Sequence, residues 1–144
     1  MPNTITSANA EFTLSVPDVF AVPVPIEGFS TDDAFDTENV APNEAIMGVD
    51  GVLSGGYTPY PVKLKFVLQA DSPSNLAMDE WRQAMDAARE TFPANATIIA
   101  PSIGKVFTFT TGFLTGDMPT PQGKKVLQSQ TYEITFQSVT AAPV

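Results

Sequence analysis

Short runs of alternating apolar and polar residues, separated by prolines and glycines, constrain this chain most. An apolar residue at every second position is typical of a strand that buries one face. The clearest runs are residues 11–16, 62–69, 106–113 and 131–139. Shorter candidates are residues 97–100 and a hairpin with arms at 45–49 and 51–54 around Asp50-Gly51, a dipeptide that favours a tight turn. The pattern predicts a chain that is mainly β.

The connections between these runs differ in character. Residues 116–125 carry two prolines, two glycines and a basic tip, which suits an exposed connection between antiparallel strands. Residues 55–61 contain too many glycines and prolines for us to expect regular structure there. Val22 and Val24 alternate with prolines, which cannot donate to a β-ladder, so they predict at best an edge strand.

Only one segment, residues 74–92, has a helical period. Its apolar stripe comprises Met78, Trp81, Met85, Ala88 and Phe92. Ser72 or Ser74 can cap the start, and Pro93 stops the helix. One helix with about six strands predicts an α+β or β-barrel domain in which the helix lies on a sheet.

The composition excludes much chemistry. The chain contains neither cysteine nor histidine, so thiol nucleophiles, imidazole bases and zinc fingers are excluded. The first twelve residues lack the basic and apolar regions of a secretory signal, and no stretch reaches the roughly 20 apolar residues of a membrane span. We therefore expect no catalytic residue of these classes, no cofactor and no membrane anchor.

Charge is distributed unevenly along the chain. Residues 1–62 contain nine acidic residues and no lysine or arginine, whereas acids and bases are equal in number from Lys63 onward. The whole net charge of −9 therefore comes from the first 62 residues. Such a field repels phosphates and anionic lipids, so tight binding to nucleic acid or to a membrane surface is not expected.

Carboxylates are the remaining candidates for a site. The densest group lies in residues 31–38 and comprises Asp32, Asp33, Asp36 and Glu38. Oxygen ligands of this kind can hold a divalent cation, but the spacing is not that of an EF-hand, which favours a solvated acidic loop or an interface. Asp50 and Glu133 could serve a glycosidase as a carboxylate pair, yet nothing in the sequence brings them together.

Three other patterns have simpler explanations. The glycines of residues 48–56 precede neither a helix nor a Gly-Lys-Ser/Thr motif, so turns explain them better than a phosphate loop. Trp81, Phe92 and the row Phe107, Phe109 and Phe113 could form an aromatic platform, but their spacing favours the core. In that row, strict alternation places Phe113 on the same face as Phe109, with Gly112 as a candidate bulge. Lys124-Lys125 is too short for a basic patch and suits a subunit contact or solvent.

Several segments, taken in order, resemble the tail tube proteins of contractile-tailed bacteriophages. They are GFSTDDAFDTE (28–38), MGVDG (47–51), LQADSPSN (68–75), AAR (87–89) before PAN (93–95), GFLT (112–115) and KKVLQ (124–128). None is a catalytic motif. Their order and spacing agree over nearly the whole chain, and the joint occurrence is what identifies the resemblance.

The resemblance implies a single domain over residues 1–144, with an extended N-terminal arm and an acidic loop region at about 17–42. It implies two packed antiparallel sheets that form a small barrel or sandwich, one flanking helix at about 74–92, and long loops. In such proteins six copies form a ring, and rings stack into a hollow tube that genomic DNA passes through without specific binding.

The implied partners are further copies of the chain and the sheath, tape-measure, baseplate and tail terminator proteins. The implied location is the tail of a virion assembled in the bacterial cytoplasm. The resemblance implies no catalytic residue, metal or cofactor, and Asp32, Asp33, Asp36 and Glu38 are then candidates for the channel wall or a subunit contact. Three alternatives remain open: the tube of a tailocin or type VI secretion system, a β-sandwich binding module of a tail, and an enzyme that uses carboxylates.

Overall fold

The computed structural model describes residues 10–27, 35–117, 120 and 123–143. Within these residues it contains nine strands and one helix. The strands are β1 (Glu11–Ser15), β2 (Val24–Ile26), β3 (Phe35–Thr37), β4 (Asn43–Met47), β5 (Leu53–Tyr57), β6 (Val62–Leu68), β7 (Ala94–Ala100), β8 (Lys105–Gly116) and β9 (Gln130–Pro143). The helix α1 spans Ser74–Ala88, and it is too short and too polar to cross a membrane. The predicted mainly β fold with one flanking helix is confirmed.

Seven strands form one antiparallel sheet in the order β2-β1-β7-β8-β9-β6-β3. This sheet curls back on itself. The rings of Phe12 on β1 and Phe66 on β6 lie 5.1 Å apart, although three strands separate β1 from β6 in the sheet. In a flat sheet, strands that far apart would be separated by roughly 19 Å. The curl therefore gives two sandwich-like layers with the core between them, and β2 lies at a sheet edge as predicted.

The core is built from the inward positions of the alternating runs. On β6, Val62, Leu64, Phe66 and Leu68 are buried, whereas the two lysines between them are exposed. Tyr132 on β9 stacks near Phe66 with 5.4 Å between ring centroids. Burial raises the pKa of Tyr132, and the negative charge of Asp117 adds to this shift.

The helix covers one end of this core through specific hydrogen bonds. The Tyr132 hydroxyl donates to Asn75 Oδ1 at 2.9 Å, and Trp81 Nε1 donates to the Phe92 carbonyl at 3.1 Å. The Ser74 hydroxyl accepts from the Glu27 backbone N–H at 2.7 Å, which fixes the start of the helix beside β2. Buried polar groups that find such partners fix one orientation of the helix on the sheet.

The helix is four residues shorter than predicted. It ends at Ala88 because Arg89 adopts the left-handed conformation, with φ of 55°. The next residues turn back so that the Phe92 carbonyl reaches the indole of Trp81. At the start, the N-cap residue is Pro73 and no side chain caps the helix, so the predicted cap by Ser72 or Ser74 is wrong. The Ser72 hydroxyl instead accepts from the Ser74 backbone N–H at 3.2 Å.

A bulge in β8 makes one sequence prediction wrong. Ala94 pairs with Gly112 and Ala96 pairs with Phe109. One residue lies between the paired positions on β7, whereas two residues, Thr110 and Thr111, lie between them on β8. Thr111 has a φ of 48°, an unfavourable conformation for a β-branched residue, and its N–H donates to Asn95 Oδ1 at 2.9 Å. The extra residue shifts the alternation by one, so Phe109 is buried but Phe113 faces outward and is 42% exposed.

The packing around Gly112 offsets the unfavourable backbone conformation of Thr111. Gly112 faces the core, where a Cβ would overlap the Phe136 ring. The absence of a side chain lets Phe136 pack against Phe109 with 5.0 Å between their ring centroids. The bulge thus places a glycine at an inward position of β8 that has no room for a side chain.

Residues 55–61 are more regular than predicted. Gly55, Gly56 and Tyr57 complete β5, and irregular chain begins only at Thr58. Neither glycine has a positive φ, and cross-strand hydrogen bonding to β4 accommodates both. The strands β8 and β9 are antiparallel neighbours as predicted, and residues 120 and 123–127 of the connection between them are exposed.

Candidate assembly surface

Residues 43–57, which we call the ribbon, form a two-stranded hairpin separate from the main sheet. Its turn follows from the sequence. The Asp50 carboxylate accepts from the Val52 N–H at 3.1 Å, and Gly51 supplies a φ of 84°. The Gly48 N–H donates to the Val52 carbonyl at 2.9 Å, which closes the turn and sets the register of Met47 opposite Leu53.

One face of the ribbon carries several apolar side chains. Ala45, Met47, Leu53 and Tyr57 share this face because they alternate along paired strands. Every strand residue of the ribbon is exposed, and the side chains of Met47, Leu53 and Tyr57 remain 62%, 61% and 73% exposed. An isolated two-stranded hairpin is only marginally stable in water. Within the described residues, the ribbon is therefore a surface that a partner would stabilise.

The two legs of the ribbon stay paired just beyond its strands. The Thr58 N–H donates to the Pro42 carbonyl at 2.9 Å, and its hydroxyl donates to the Ala41 carbonyl at 3.1 Å. A cavity of about 210 Å³ lies beside this base. Its lining residues are Glu38, Asn39, Val40, Ala41, Tyr60, Pro61 and Lys63. The bonds of Thr58 keep the two legs of the hairpin together at its base.

The four predicted acidic residues do not form one described cluster. Asp32 and Asp33 lie outside the described residues. Asp36 lies on β3 directly opposite Lys65 of β6, which in turn pairs with Glu133 of β9. Such pairs place their Cβ atoms about 5 Å apart, so Asp36 has a basic neighbour that sequence reasoning had assigned to the other half of the chain. Glu38 lies just beyond β3, where its N–H donates to the Lys63 carbonyl.

The other candidates are placed as follows. Asp50 caps the ribbon turn and Glu133 lies in the main sheet, so the carboxylate pair is divided between two sheets. Among the residues that the structure describes, no group of three or more acidic side chains could hold a metal ion. Trp81 and Phe109 belong to the core as predicted. Lys124 and Lys125 are exposed, next to the exposed side chains of Val126 and Leu127.

The fold and the surface together define a class: a mainly β, sandwich-like domain that leaves an amphipathic ribbon uncovered. The chain belongs to the family described as tail fiber protein gp32, whose family model matches residues 3–140. No curated protein matches the sequence significantly.

Solved structures show the same fold at low sequence identity. A chain in the cryo-EM structure of the anti-feeding prophage tube-terminating cap has a TM-score of 0.59 and 14% identity, and the match covers 100% of this chain and 94% of that one. A chain in the sheath–tube complex of the PVC extracellular contractile injection system has a TM-score of 0.59 and 10% identity, with 98% and 93% covered. A chain in the anti-feeding prophage baseplate has a TM-score of 0.53 and 15% identity, with 100% and 99% covered. The resemblance to the contractile tail tube family is confirmed at the level of family and fold.

Proposed function

We propose that this chain is the structural subunit of a contractile phage tail tube. Six copies form a ring, rings stack into a hollow tube, and genomic DNA passes through the tube without specific binding. The partners are further copies of the chain, the sheath, the tape-measure protein, the baseplate and the tail terminator. The protein acts by assembly and has no catalytic role, and its place is the tail of the virion.

The uncovered apolar face of the ribbon carries this proposal. Met47, Leu53 and Tyr57 lie side by side in water, where the free energy of burial is still available, at roughly 25 cal/mol for each Å² covered. In a monomer this face contributes no free energy of burial. In a polymer every copy but the last has this face covered by a neighbour. Contiguous exposed apolar surface of this kind marks protein–protein contacts.

The edge of β9 supports ring formation. In the described residues, β6 pairs with residues 130–136 of β9 but not with residues 137–143, which have β8 on one side only. Seven residues with one unpaired edge form a template for a strand from another copy. Joining of sheet edges around a ring would satisfy these backbone groups.

The similar solved structures support a tube over other assemblies. Their complexes include a tube-terminating cap, a sheath–tube complex and a baseplate, and the matches span nearly the full length of both chains. The family description instead names a tail fibre. A tube and a fibre differ in the presence of a channel, which makes the two roles separable by microscopy.

The acidic first half of the chain suits a channel wall that DNA slides past, because like charges do not adhere. We propose Asp32, Asp33, Asp36 and Glu38 as wall or contact residues. A ring structure with all four outside the channel contradicts this part of the proposal and leaves the tube itself intact.

Negative-stain microscopy of the purified full-length protein tests the proposal. We expect rings with six-fold symmetry or hollow tubes. Thin fibres without a channel would favour the fibre role, and a dispersed monomer at high concentration would contradict both.

A pair of variants tests whether the ribbon drives assembly. Leu53→Lys places a charge on its apolar face and should abolish rings and tubes, because burial of an unpaired charge is costly. Leu76→Lys is the matched control, since Leu76 on the helix is 65% exposed, close to Leu53. Sedimentation should show monomer for the first variant and assemblies for the second.

A further inference from the structure

We infer that Asp50 is a site of spontaneous covalent modification. In chains that have not assembled, its carboxyl condenses with the Gly51 nitrogen, and the bond between the two residues isomerises to an isoaspartyl linkage. The altered chain no longer enters the assembly. The modification follows from the turn of the ribbon alone, whereas its effect on assembly rests on the proposed function.

The sequence offers one favourable place for this reaction. The reaction joins the side-chain carboxyl carbon of an aspartate to the backbone nitrogen of the next residue, and a Cβ on that next residue hinders the approach. Gly51 is the only glycine of the chain that follows an aspartate or an asparagine. Because it has no side chain, the carboxyl of Asp50 can approach its nitrogen closely.

The turn leaves the reacting groups open to solvent. Residues 48–52 are all exposed, and a Cβ at Gly51 would meet no atom within 4 Å. The Gly51 N–H donates to the Gly48 carbonyl at 3.0 Å. Exposed hydrogen bonds with few packing contacts open readily, so the nitrogen becomes available for reaction.

The Asp50 side chain already lies over the peptide bond with which it reacts. Its Oδ1 accepts from the Val52 N–H at 3.1 Å, so the carboxyl spans the peptide bond between Asp50 and Gly51. Two reacting groups that are held beside each other react much faster than free ones. The hydrogen bond that shapes the turn therefore also positions the carboxyl carbon for the reaction.

The reaction is balanced without any reagent other than water. The Gly51 nitrogen attacks Cγ of the protonated Asp50 carboxyl, a C–N bond forms, and the carboxyl hydroxyl leaves with the amide proton as water. Water then opens the resulting succinimide ring. Attack at the side-chain carbonyl restores aspartate, whereas attack at the main-chain carbonyl gives a linkage through Cγ and a free α-carboxylate.

The isoaspartyl linkage changes the ribbon. It adds a carbon atom to the main chain of the turn and places a carboxylate directly on the backbone. The unmodified turn is closed by the bond from the Gly48 N–H to the Val52 carbonyl and sets Met47 opposite Leu53. Since register determines which side chains share a face, a changed turn disturbs the apolar face on which the proposed assembly depends.

Ageing of the full-length protein tests the modification. The protein is kept below its assembly threshold in a mildly acidic buffer, and peptide mapping with electron-transfer fragmentation measures isoaspartate at each aspartate. Isoaspartate should accumulate at Asp50 at least about tenfold faster than at Asp71 or Asp86. Asp71 also precedes a small residue, but Ser72 is buried and its N–H donates to the Gln69 carbonyl at 3.0 Å, and Asp86 lies within the helix.

Two variants at position 50 serve as matched controls. Asp50→Ser keeps a side-chain oxygen for the Val52 N–H but has no carboxyl, so no isoaspartate should form there. Asp50→Asn forms the same ring with loss of ammonia, so isoaspartate should appear at this position as well. Faster or equal accumulation at Asp71 or Asp86 in the wild-type chain contradicts the inference.

Sedimentation of an aged sample tests the effect on assembly. The sample is concentrated above the assembly threshold, and the pellet and the supernatant are mapped separately. Isoaspartate at position 50 should be depleted at least about fivefold in the pellet. Equal isoaspartate content in the two fractions means that the modified chain assembles, and it overturns this part of the inference. Fresh and aged Asp50→Ser should assemble equally.

The outcomes separate this inference from the proposed function. If fresh wild-type protein never assembles, the proposed function fails, whereas the position of isoaspartate in the unassembled chain still decides whether Asp50 is the site. If fresh protein assembles but isoaspartate does not form first at Asp50, the inference is wrong and the assembly function stands.

Discussion

The β6–β9 pair and the ribbon have the same antiparallel hydrogen bonding but opposite burial. In β6–β9 the apolar face is closed by Phe12 and by the helix, so Leu64, Phe66 and Tyr132 have no exposed surface. In the ribbon the apolar face of Met47 and Leu53 is covered by nothing in the described chain. Both pairs alternate in the way that predicts a strand with one buried face. The first has its partner in the same chain, and the second requires one from outside.

Removing a side chain from each face should give the largest contrast. Phe66→Ala leaves a cavity between the two layers of the sheet, and it should lower the free energy of unfolding by about 3–5 kcal/mol. Leu53→Ala removes a side chain that touches little in the monomer, and it should change the same quantity by less than about 0.5 kcal/mol. Urea denaturation at a concentration below the assembly threshold measures both.

A large loss of stability for Leu53→Ala would contradict this contrast between the two strand pairs. A loss of more than about 2 kcal/mol for Leu53→Ala in a monomer would mean that the ribbon packs on its own chain. Assembly would also change with this variant, so the monomeric state has to be verified by sedimentation.

A smaller effect is expected from the hydroxyl of Tyr132. Tyr132→Phe removes the donor to Asn75 Oδ1 and should cost about 1–2 kcal/mol at neutral pH, because a buried acceptor loses its partner. Burial also raises the pKa of Tyr132, so the folded state holds this proton more tightly than the unfolded chain, where the pKa is about 10. The contribution of Tyr132 to the free energy of unfolding is therefore constant below about pH 10 and falls above it.

The alkaline branch of the stability curve checks this prediction. Wild-type protein should lose stability above about pH 10, and Tyr132→Phe should lose less over the same range. Tyr57→Phe is the control, since it removes a hydroxyl from the exposed ribbon and should leave the curve as it is. Equal curves for the wild type and Tyr132→Phe would rule out a role for the Tyr132 proton.

The smallest effect on stability should come from a substitution in the strained bulge, and this substitution should stabilise the fold. Asparagine accepts a positive φ more readily than threonine, so Thr111→Asn should stabilise the fold by about 0.5–1 kcal/mol. Thr108→Asn, at an exposed and extended position of the same strand, should be slightly destabilising. Thermal unfolding of the two variants measures the difference, and stabilisation by both or by neither would mean that the strain at Thr111 is negligible.

Much of the fold could be predicted because its local signals agree. The alternation in residues 62–69 and 131–139 matches β6 and β9, and Asp50-Gly51 marks the ribbon turn. The stripe through Met78 and Trp81 predicts the buried face of the helix. In each case the residues that determine the element lie within it.

The remaining features depend on contacts between distant residues. The outward position of Phe113 follows from the fit of Gly112 against Phe136 on another strand. The helix ends early at the left-handed Arg89, which lets the Phe92 carbonyl accept from the Trp81 indole. In the sequence, the apolar face of the ribbon has the same pattern as any other amphipathic strand. Only the three-dimensional structure shows that no part of the described chain covers it.

The exposed ribbon also bears on how an assembly of this chain would end. If each copy covers the ribbon of its neighbour, the ribbons of the last copies stay uncovered. A capping protein that covers those ribbons would stop growth at that end. Control over the length of such an assembly would then act at its end and not within the subunit.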